Sequence, residues 1–345
     1  MSKFDFIIIG QGLAGSILAY SLIQRNHNVL VIDNDHHNSS SKVAAGIINP
    51  ITGHRLNITE GFESYFTVAE KLYLELEKEL RCKIYCSVPQ HRMIKNQGQL
   101  DYYKQRITEP QYQLLLSKQR VQSSYFRPND FGSVAISQTS VLDTKLCLET
   151  IKQWLIKQNA YLEKSIKYEE IKTTDSEVIV GNIKASKIIF CEGYQAINNP
   201  WLDHLPFKLS KGDILTLQAD TKVDTLLNWG YWLAPTIGKQ TVKLGSNFVW
   251  NDQNLKPDQK HANKFLQDLG NKTTIRSKLI SHEVGIRPTT TQRRPFIGKI
   301  TKLDHAYCFN GFGSKGCLLI PFYAELLCEH LNDRAALPIE ITKWL

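Results

Sequence analysis

The chain has 345 residues, of which 42% are hydrophobic and 22% are charged, a balance typical of a globular protein. No apolar stretch approaches the roughly 20 residues that cross a bilayer, and the seven cysteines contain no CxxC pair, so we expect a reduced, cytoplasmic protein with no membrane partner and no metal site. The net charge of +9 favours anionic partners, but the basic residues are spread along the chain, which indicates a solvated basic surface more than a dedicated RNA-binding face.

The first predicted elements form a βαβ unit around a glycine-rich turn. Residues 4–9 are an apolar run typical of a strand buried in a parallel sheet, and Gly10-Gln11-Gly12-Leu13-Ala14-Gly15 follows directly. Apolar residues at helical spacing then lead to a second strand, residues 29–32, which ends at Asp33. The strand, glycines, helix, strand and acid together predict a dinucleotide site.

Each glycine of this turn has a physical role in such a site. Gly10 permits the tight turn, Gly12 lets the backbone approach a pyrophosphate, and Gly15 allows close packing of helix on strand. The N–H groups at the start of the helix would hold the phosphates. Asp33 would accept hydrogen bonds from ribose hydroxyls.

A loop of small residues, 39–46, follows the βαβ unit. It contains Ser41, Ala45 and Gly46, so its backbone could pass close to a flat, extended ligand. Taken alone, it is more typical of a polar loop. His36 and His37, just before it, are interpreted as a solvated loop and not as metal ligands.

The rest of the chain alternates helices and strands without repeats or an obvious linker. Helices are predicted at residues 62–81, at 144–155 behind an Asp143 N-cap, at 257–269 and at 318–331. Strands are predicted at residues 160–162, 166–171, 177–183, 187–190, 214–218, 231–234 and 242–248. Residues 84–140 give few clear signals.

Five short stretches together resemble the DAO family of FAD-dependent amine oxidoreductases, which includes D-amino-acid, glycine and sarcosine oxidases. They are residues 10–15 with Asp33; 39–46; 188–193; Gly285-Ile286-Arg287-Pro288 with 294–298; and 310–316 with Pro321 and 324–327. Each stretch is common by itself. Their order and spacing, over nearly the whole chain, are specific to the family and not to one member.

The resemblance implies a mixed α/β (α+β) fold, in which a Rossmann-like FAD-binding domain is interleaved with an antiparallel-sheet substrate domain. The FAD-binding domain is expected at residues 1–83, 141–210 and 276–345, and the substrate domain at 84–140 and 211–275. Sarcosine oxidases hold FAD through a cysteine soon after the arginine motif. Here Thr289-Thr290-Thr291 follows, so non-covalent FAD is expected.

The resemblance also implies which residues bind the flavin. The loop with Ser41, Ala45 and Gly46 would pass the pyrophosphate and the flavin edge, and Gly193 would lie beside the FAD. The turn that wraps the isoalloxazine would contain Gly311, Gly313, Ser314, Lys315 and Gly316. The helix that starts there would stabilise negative charge on the reduced flavin.

Three residues are implied in catalysis. Arg287 would pair bidentately with a substrate carboxylate, although a structural ion pair is the alternative. Tyr231 and its neighbour Trp232 could line the amine pocket, or could be core aromatics. Lys243 resembles the lysine that activates dioxygen in sarcosine oxidase, and a solvent-facing lysine is the alternative.

The function implied is oxidation of a C–N bond in a small amino acid or an N-substituted glycine. A hydride would pass to flavin N5, the imine would be hydrolysed, and dioxygen or another acceptor would take the electrons. The alternative is a tRNA-modifying oxidoreductase, which would remove a carboxymethyl group from a carboxymethylaminomethyl wobble uridine. The turn Gly313-Ser314-Lys315-Gly316 is similar to one in those enzymes. A non-enzymatic, flavin-holding subunit is the third reading.

Overall fold

The computed structural model describes residues 3–35 and 39–345, so the His36-His37 pair lies outside the described residues. The strands described are β1 (Lys3–Ile9), β2 (Val29–Asp33), β3 (Ile47–Ile48), β4 (Ile51–Thr52), β5 (Asn57–Ile58), β6 (Tyr85–Ser87), β7 (Gln90–Met93), β8 (Ser133–Ile136), β9 (Ser140–Leu142), β10 (Tyr161–Glu163), β11 (Ile171–Thr173), β12 (Val178–Val180), β13 (Ile183–Phe190), β14 (Ser210–Ala219), β15 (Leu226–Asn228), β16 (Trp232–Pro235), β17 (Thr241–Gly245), β18 (Val249–Trp250), β19 (Ser277–Arg287), β20 (Phe296–Lys299) and β21 (Ala306–Asn310). The helices are α1 (Leu13–Ile23), α2 (Ser40–Val43), α3 (Phe62–Leu80), α4 (Gln97–Arg106), α5 (Thr144–Lys157), α6 (Gln259–Lys272), α7 (Gly316–Leu331) and α8 (Ile339–Thr342).

The first sheet is built on the βαβ unit. Its strands run in the order β10-β2-β1-β13-β12-β11, and β21 pairs with the C-terminal half of β13 and with β20. The pairs β10–β2, β2–β1, β1–β13 and β13–β21 are parallel. Helices α1, α3, α5 and α7 bury one face, with Ile8, Leu18 and Tyr73 in that core. Ile7, Ile32 and Phe190 point to a second core on the opposite face. Burial on both faces explains why these strands are continuously apolar.

The second sheet is mainly antiparallel, in the order β18-β14-β17-β16-β15-β7-β8, with β19 also paired to β14. Helix α6 covers one face, where Phe265 and Leu269 pack into a separate core. The long strand β19 pairs along β14 over its whole length, although it lies within the segment 276–345 expected in the FAD-binding domain. Its mixed polar and apolar sequence gave no strand signal. Two small sheets, β3-β9-β6 and β4-β5, complete the strands of the described residues.

Four predicted elements differ from the structure. The predicted strand 177–183 is divided by a turn at residues 181–182 into β12 and the start of β13. Residues 166–171 were predicted as one strand, but a 3-10 turn, Tyr168–Glu170, precedes β11. The predicted strand 242–248 is interrupted after Gly245 and resumes at Val249. The loop 39–46 contains the short helix α2, whose first turn is capped by the Ser39 side chain. Helices α1, α3, α5, α6 and α7 were predicted correctly, including the Asp143 cap, which accepts from the backbone N–H of Leu146 at 3.0 Å, whereas α4 lies in the stretch 84–140 that gave few clear signals.

Two kinds of feature are not found within residues 3–35 and 39–345. No helix there is long and apolar enough to cross a membrane. No cluster of three or more histidine, cysteine or acidic side chains in that part of the chain could hold a metal ion.

Candidate active site

A cavity of about 580 Å³ lies between the two sheets, within the range of small-molecule pockets. It starts at the glycine turn after β1 and follows α2 and β3. Strands of the second sheet form its other wall, from Gly285 on β19 to Arg92 on β7. Both sheets therefore contribute to one elongated site.

The turn after β1 has no space for a side chain at two of its three glycines, Gly10 and Gly15. Gly10 has a φ of +103°, and a Cβ there would lie 2.6 Å from the carbonyl oxygen of Cys191. A Cβ at Gly15 would overlap the carbonyl oxygen of Gly10. These contacts draw the start of α1 against the ends of β1 and β13, and Gly10 and Gly12 line the cavity.

The start of α1 presents backbone donors to the cavity. Gly12 is the N-cap and supplies no capping side chain. The N–H of Leu13 donates to Ser41 Oγ at 3.1 Å, which joins α1 to α2. Asp33 accepts from the backbone N–H of Gln11 at 2.8 Å. A helix N-terminus with free donors favours an anion such as a pyrophosphate.

The glycine turn before α7 closes the same cavity. Gly311 has a φ of +85°, and Gly313, Ser314, Lys315 and Gly316 line the cavity. Lys315 Nζ donates to Thr59 Oγ1 at 3.0 Å, and burial lowers the pKa of this lysine. The N-terminus of α7 and the half-buried ammonium of Lys315 therefore lie together at this end of the cavity.

Arg287 is a partly buried guanidinium that lines the cavity. Its Nη2 donates to Ser246 Oγ at 2.7 Å, and its Nη1 donates to the carbonyl oxygen of Asn247 at 3.3 Å. No carboxylate of the described residues lies within ion-pair distance of it, and burial lowers its pKa to about 10. The guanidinium also lies over the ring of Phe248, 4.5 Å from the centroid. The charge of Asp213 favours the cation from beyond that distance, and the guanidinium still has room for an anion in direct contact.

A buried carboxylate fixes the segment that holds Arg287. Asp213 is fully buried and accepts from Asn247 Nδ2 at 2.9 Å, and Asn247 Oδ1 accepts from the Asp213 N–H at 2.8 Å. His261 Nδ1 and His282 Nε2 lie 2.9 and 2.8 Å from its two oxygens. Burial raises the pKa of Asp213, but these hydrogen bonds outweigh it and hold the pKa below its ordinary value.

Glu192 is a further acid at the cavity wall. It accepts from Tyr168 Oη and from Asn199 Nδ2, each at 2.8 Å. Burial raises its pKa, and the two hydrogen bonds oppose that rise. It lies two residues after the end of β13 and fixes the chain beside Gly193.

The structure brings most of the sequence-predicted residues to this cavity. Those lining it are Gly10, Gly12, Leu13, Ala14, Ser41, Ala45, Gly46, Gly193, Gly313, Ser314, Lys315, Gly316 and Arg287. Gly15, Asp33 and Gly311 lie behind this lining and support its backbone.

Tyr231 and Lys243 lie elsewhere. Tyr231 packs on Phe265 of α6, with ring centroids 4.6 Å apart, so it is a core aromatic, the alternative given above. Its neighbour Trp232 lines the cavity. Lys243 Nζ donates to the carbonyl oxygens of Val43 and Ala44 at 3.2 and 2.7 Å. It lines a smaller cavity of about 230 Å³ behind that backbone, and burial lowers its pKa.

Sequence reasoning missed several lining residues. Arg92 and Lys95 come from the stretch 84–140, which gave no motif, and Ser246 and Phe248 come from the break between β17 and β18. Pairing across the second sheet brings them to the cavity, and no local pattern signals it. The lining residues recognised in advance belong to the glycine turns, to the loop 39–46 or to the short motifs of the family resemblance, such as Arg287.

The cavity fits the FAD implied by the resemblance. Close backbone packing at Gly10 and Gly15 holds the start of α1 against the ends of β1 and β13, and Gly10 and Gly12 line the cavity without side chains. The N-cap of α1, Gly12, supplies no side chain to the helix N-terminus there. From there the lining continues past α2 to a wide space beside Arg287, as an extended dinucleotide with a flat ring requires.

Comparisons with known proteins agree with this geometry. The sequence profile of the DAO family, described as FAD dependent oxidoreductase, matches residues 5–330. The fold is similar to glycine oxidase from Geobacillus kaustophilus (TM-score 0.84, 14% identity, 99% of this chain and 98% of that one). It is also similar to iminodiacetate oxidase from Chelativorans sp. BNC1 (TM-score 0.78, 19% identity, 98% of each chain).

One curated relative is a larger protein. The tRNA 5-methylaminomethyl-2-thiouridine biosynthesis bifunctional protein MnmC of Leptospira borgpetersenii serovar Hardjo-bovis is 24% identical over 97% of this chain. The match spans 58% of that relative's length, so this chain is similar to a part of it.

Proposed function

The chain belongs to the DAO family of FAD-dependent oxidoreductases, and on that premise we propose that it oxidises the C–N bond of a small amino acid or an N-substituted glycine. The observation that carries the proposal is Arg287, a partly buried guanidinium that lines the cofactor cavity. No carboxylate of the described residues lies within ion-pair distance of it, and Asp213 acts on it only from farther away. A carboxylate on the substrate would supply the missing charge and accept two parallel hydrogen bonds.

The proposed cofactor, non-covalent FAD, would be held by the chain's backbone. Gly10, Gly12 and the first N–H groups of α1 would face the pyrophosphate, and the turn before α7 would face the ring. Bound FAD supplies a hydride acceptor, so that loss of hydride from the carbon next to nitrogen leaves an imine for water to hydrolyse.

The chain's own contribution is to bind and orient the substrate. Arg287 would hold the carboxylate, with Ser246 and Asn247 fixing the guanidinium plane. Trp232 also lines the cavity, and its side chain would exclude water around the reacting carbon. The amine would bind as the neutral base, whose lone pair forms the C=N bond.

The electron acceptor is proposed as dioxygen or another oxidant. Lys243 is the candidate for dioxygen activation, and its ammonium lies one backbone layer behind the cavity, on the carbonyls of Val43 and Ala44. A cytoplasmic location is proposed because all seven cysteines are free.

A tRNA-borne substrate is the second candidate, favoured by one surface feature. Phe248 and Trp250 are 53% and 46% exposed and stack with ring centroids 6.1 Å apart. Arg287 lies over the first ring, and Lys208 lies over the second at 4.7 Å. Exposed aromatics between cations suit an unstacked base beside a phosphate backbone. The similarity to the bifunctional tRNA enzyme supports the same candidate.

An anaerobic stopped-flow screen of the flavin-loaded protein tests both candidates. Glycine, sarcosine, D-amino acids and tRNA bearing carboxymethylaminomethyluridine are mixed with the protein, and loss of the oxidised-flavin absorbance is followed. Bleaching by a free amino acid supports the first candidate, and bleaching by tRNA alone supports the second. Absence of bleaching with every amine would refute the proposed function.

A further inference from the structure

The cavity has a second cationic end that the proposed function does not use. Arg92 on β7 lines it and is 8% exposed, and its Nη2 donates to the carbonyl oxygen of Gly53 at 2.6 Å. No carboxylate of the described chain lies within ion-pair distance of this guanidinium, and burial lowers its pKa to about 10. A buried arginine held by one carbonyl leaves most of its five donors available.

Lys95 lies beside Arg92 and lines the same end. Its Nζ occupies the space next to Gly230 where any Cβ would overlap it, so the glycine lets the lysine reach the cavity. Burial, and then the positive charge of Arg92, lower the pKa of Lys95, and Asp268 opposes this from beyond ion-pair distance. Asn228 lines the cavity opposite Arg92 on the neighbouring strand. Two cations that repel each other, without an acid in contact, form a site for an anion.

The two cationic ends are far apart on one sheet. One residue from each of five adjacent strands forms a continuous rung: Arg92, Asn228, Trp232, Gly245 and Ile214. The guanidinium of Arg287 lies over Gly212, two residues from Ile214 on the last of these strands. At the usual strand spacing, the backbones at the two ends of the rung are about 19 Å apart. A free amino acid can reach only one end.

We propose that Arg92 and Lys95 form a second anion-binding subsite, and that the substrate is an N-substituted glycine or amino acid whose substituent extends along the rung to an anionic group. The proposal rests on the proposed function for its Arg287 end. Carboxylate and phosphate share the required chemistry, because each accepts charge-assisted hydrogen bonds from a guanidinium and an ammonium.

Thioether analogues that cannot undergo C–N oxidation separate this proposal from turnover. Three S-alkyl thioglycolates carry eight-atom chains that end in a methyl, a carboxylate or a phosphonate group. Each is titrated into the flavin-loaded protein, and the perturbation of the flavin spectrum gives its Kd. We expect the anionic ends to bind about tenfold or more tightly than the methyl end, and the better of the two identifies the source of the anion.

Variants assign that preference to the two residues. Arg92→Met with Lys95→Met should remove the difference between the analogues, while binding of the methyl-ended analogue stays unchanged. Lys104→Met, on the exposed face of α4, is the matched control and should keep the preference. If the buried Arg92 is needed for folding, Lys95→Met alone is the test variant. It should reduce the preference for the anion-ended analogues severalfold.

The outcomes differ for the two proposals. Equal affinities of all three analogues for the unmodified protein, or a preference that survives in both Lys95 variants, would overturn the second subsite. Failure of every amine to bleach the flavin would instead overturn the proposed oxidation and leave the affinity ratios as the measure of the subsite.

Discussion

At the scale of single residues, Arg287 is the sharpest test of substrate recognition. In Arg287→Met, the substrate carboxylate loses both of its hydrogen bonds, so KM for the amino-acid substrate should rise at least about 30-fold, the equivalent of about 2 kcal/mol. The KM of Arg287→Lys should lie between those of the unmodified protein and Arg287→Met, because an ammonium keeps the charge but loses the planar fork of donors. Steady-state kinetics on the best substrate of the screen gives both values.

Arg294 is the matched control for Arg287. It lies nearby in sequence but forms an exposed ion pair with Glu60, at 2.9 Å. Arg294→Met should leave KM unchanged, since exposed pairs contribute little. Equal effects of the two substitutions would show that general surface charge, and not the guanidinium in the cavity, attracts the substrate.

Asp213 is predicted to act on the substrate through Arg287. Its lowered pKa means that the ionised form stabilises the fold above the carboxyl's unfolded value, and that this stabilisation disappears as the pH falls through the lower folded value. Asp213→Asn should therefore destabilise the protein by about 3 kcal/mol at pH 7, with the difference shrinking below about pH 4. Denaturant unfolding at several pH values measures this.

A positioning role for Asp213 has its own readout. The hydrogen-bonded pair Asp213–Asn247 fixes the carbonyl that accepts from Arg287, so Asp213→Asn should raise KM while kcat changes little. A variant that is destabilised but binds substrate normally would restrict Asp213 to a structural role.

At the scale of elements, the glycine turn should tolerate no side chain. In Gly15→Ala, the new methyl overlaps the Gly10 carbonyl, which forces α1 away from β1. We expect FAD affinity to fall at least tenfold and the free energy of unfolding to fall by about 2 kcal/mol. Fluorescence titration with FAD and chemical denaturation test the two effects.

Gly270→Ala is the control for an added methyl group. Gly270 lies in helix α6 with open space around its Cβ position, so alanine should stabilise the helix by about 0.5–1 kcal/mol and leave FAD binding unchanged. If Gly15→Ala behaved in the same way, the close packing of α1 on β1 would have no part in cofactor binding.

Elements with a local signal were the ones that could be predicted from sequence. The apolar β1, the glycines after it and the Asp143 cap each depend on neighbours within a few residues, and the structure has all three. Strand β19 was missed because its first seven residues mix polar and apolar types without a clear alternation and are not buried, and it is specified by ten pairings with β14. Arg92 was missed as well, because its place at the cavity depends on the pairing of β7 with β15, of β15 with β16 and of β16 with β17, and not on neighbouring residues.

At the scale of the whole molecule, the chain crosses between the two sheets repeatedly. Strands β1–β2 belong to the first sheet, β7–β8 to the second, β10–β13 to the first, β14–β19 to the second and β20–β21 to the first. Neither sheet is a continuous piece of chain, so neither can be removed without breaking the other. The sequence has no obvious linker, which favoured an interleaved second domain, and the family resemblance supplied the expected segments.

Interleaving predicts that FAD stabilises both sheets together. The cavity is lined by residues of each sheet, such as Gly10 and Arg287, so cofactor bound there should raise the stability of the whole chain. At 100 times its Kd, FAD should add about 2.7 kcal/mol and raise Tm by several degrees, as one calorimetric transition with and without cofactor. Two transitions, of which FAD moves only one, would show that the sheets unfold independently. Cofactor binding would then be assigned to that one sheet.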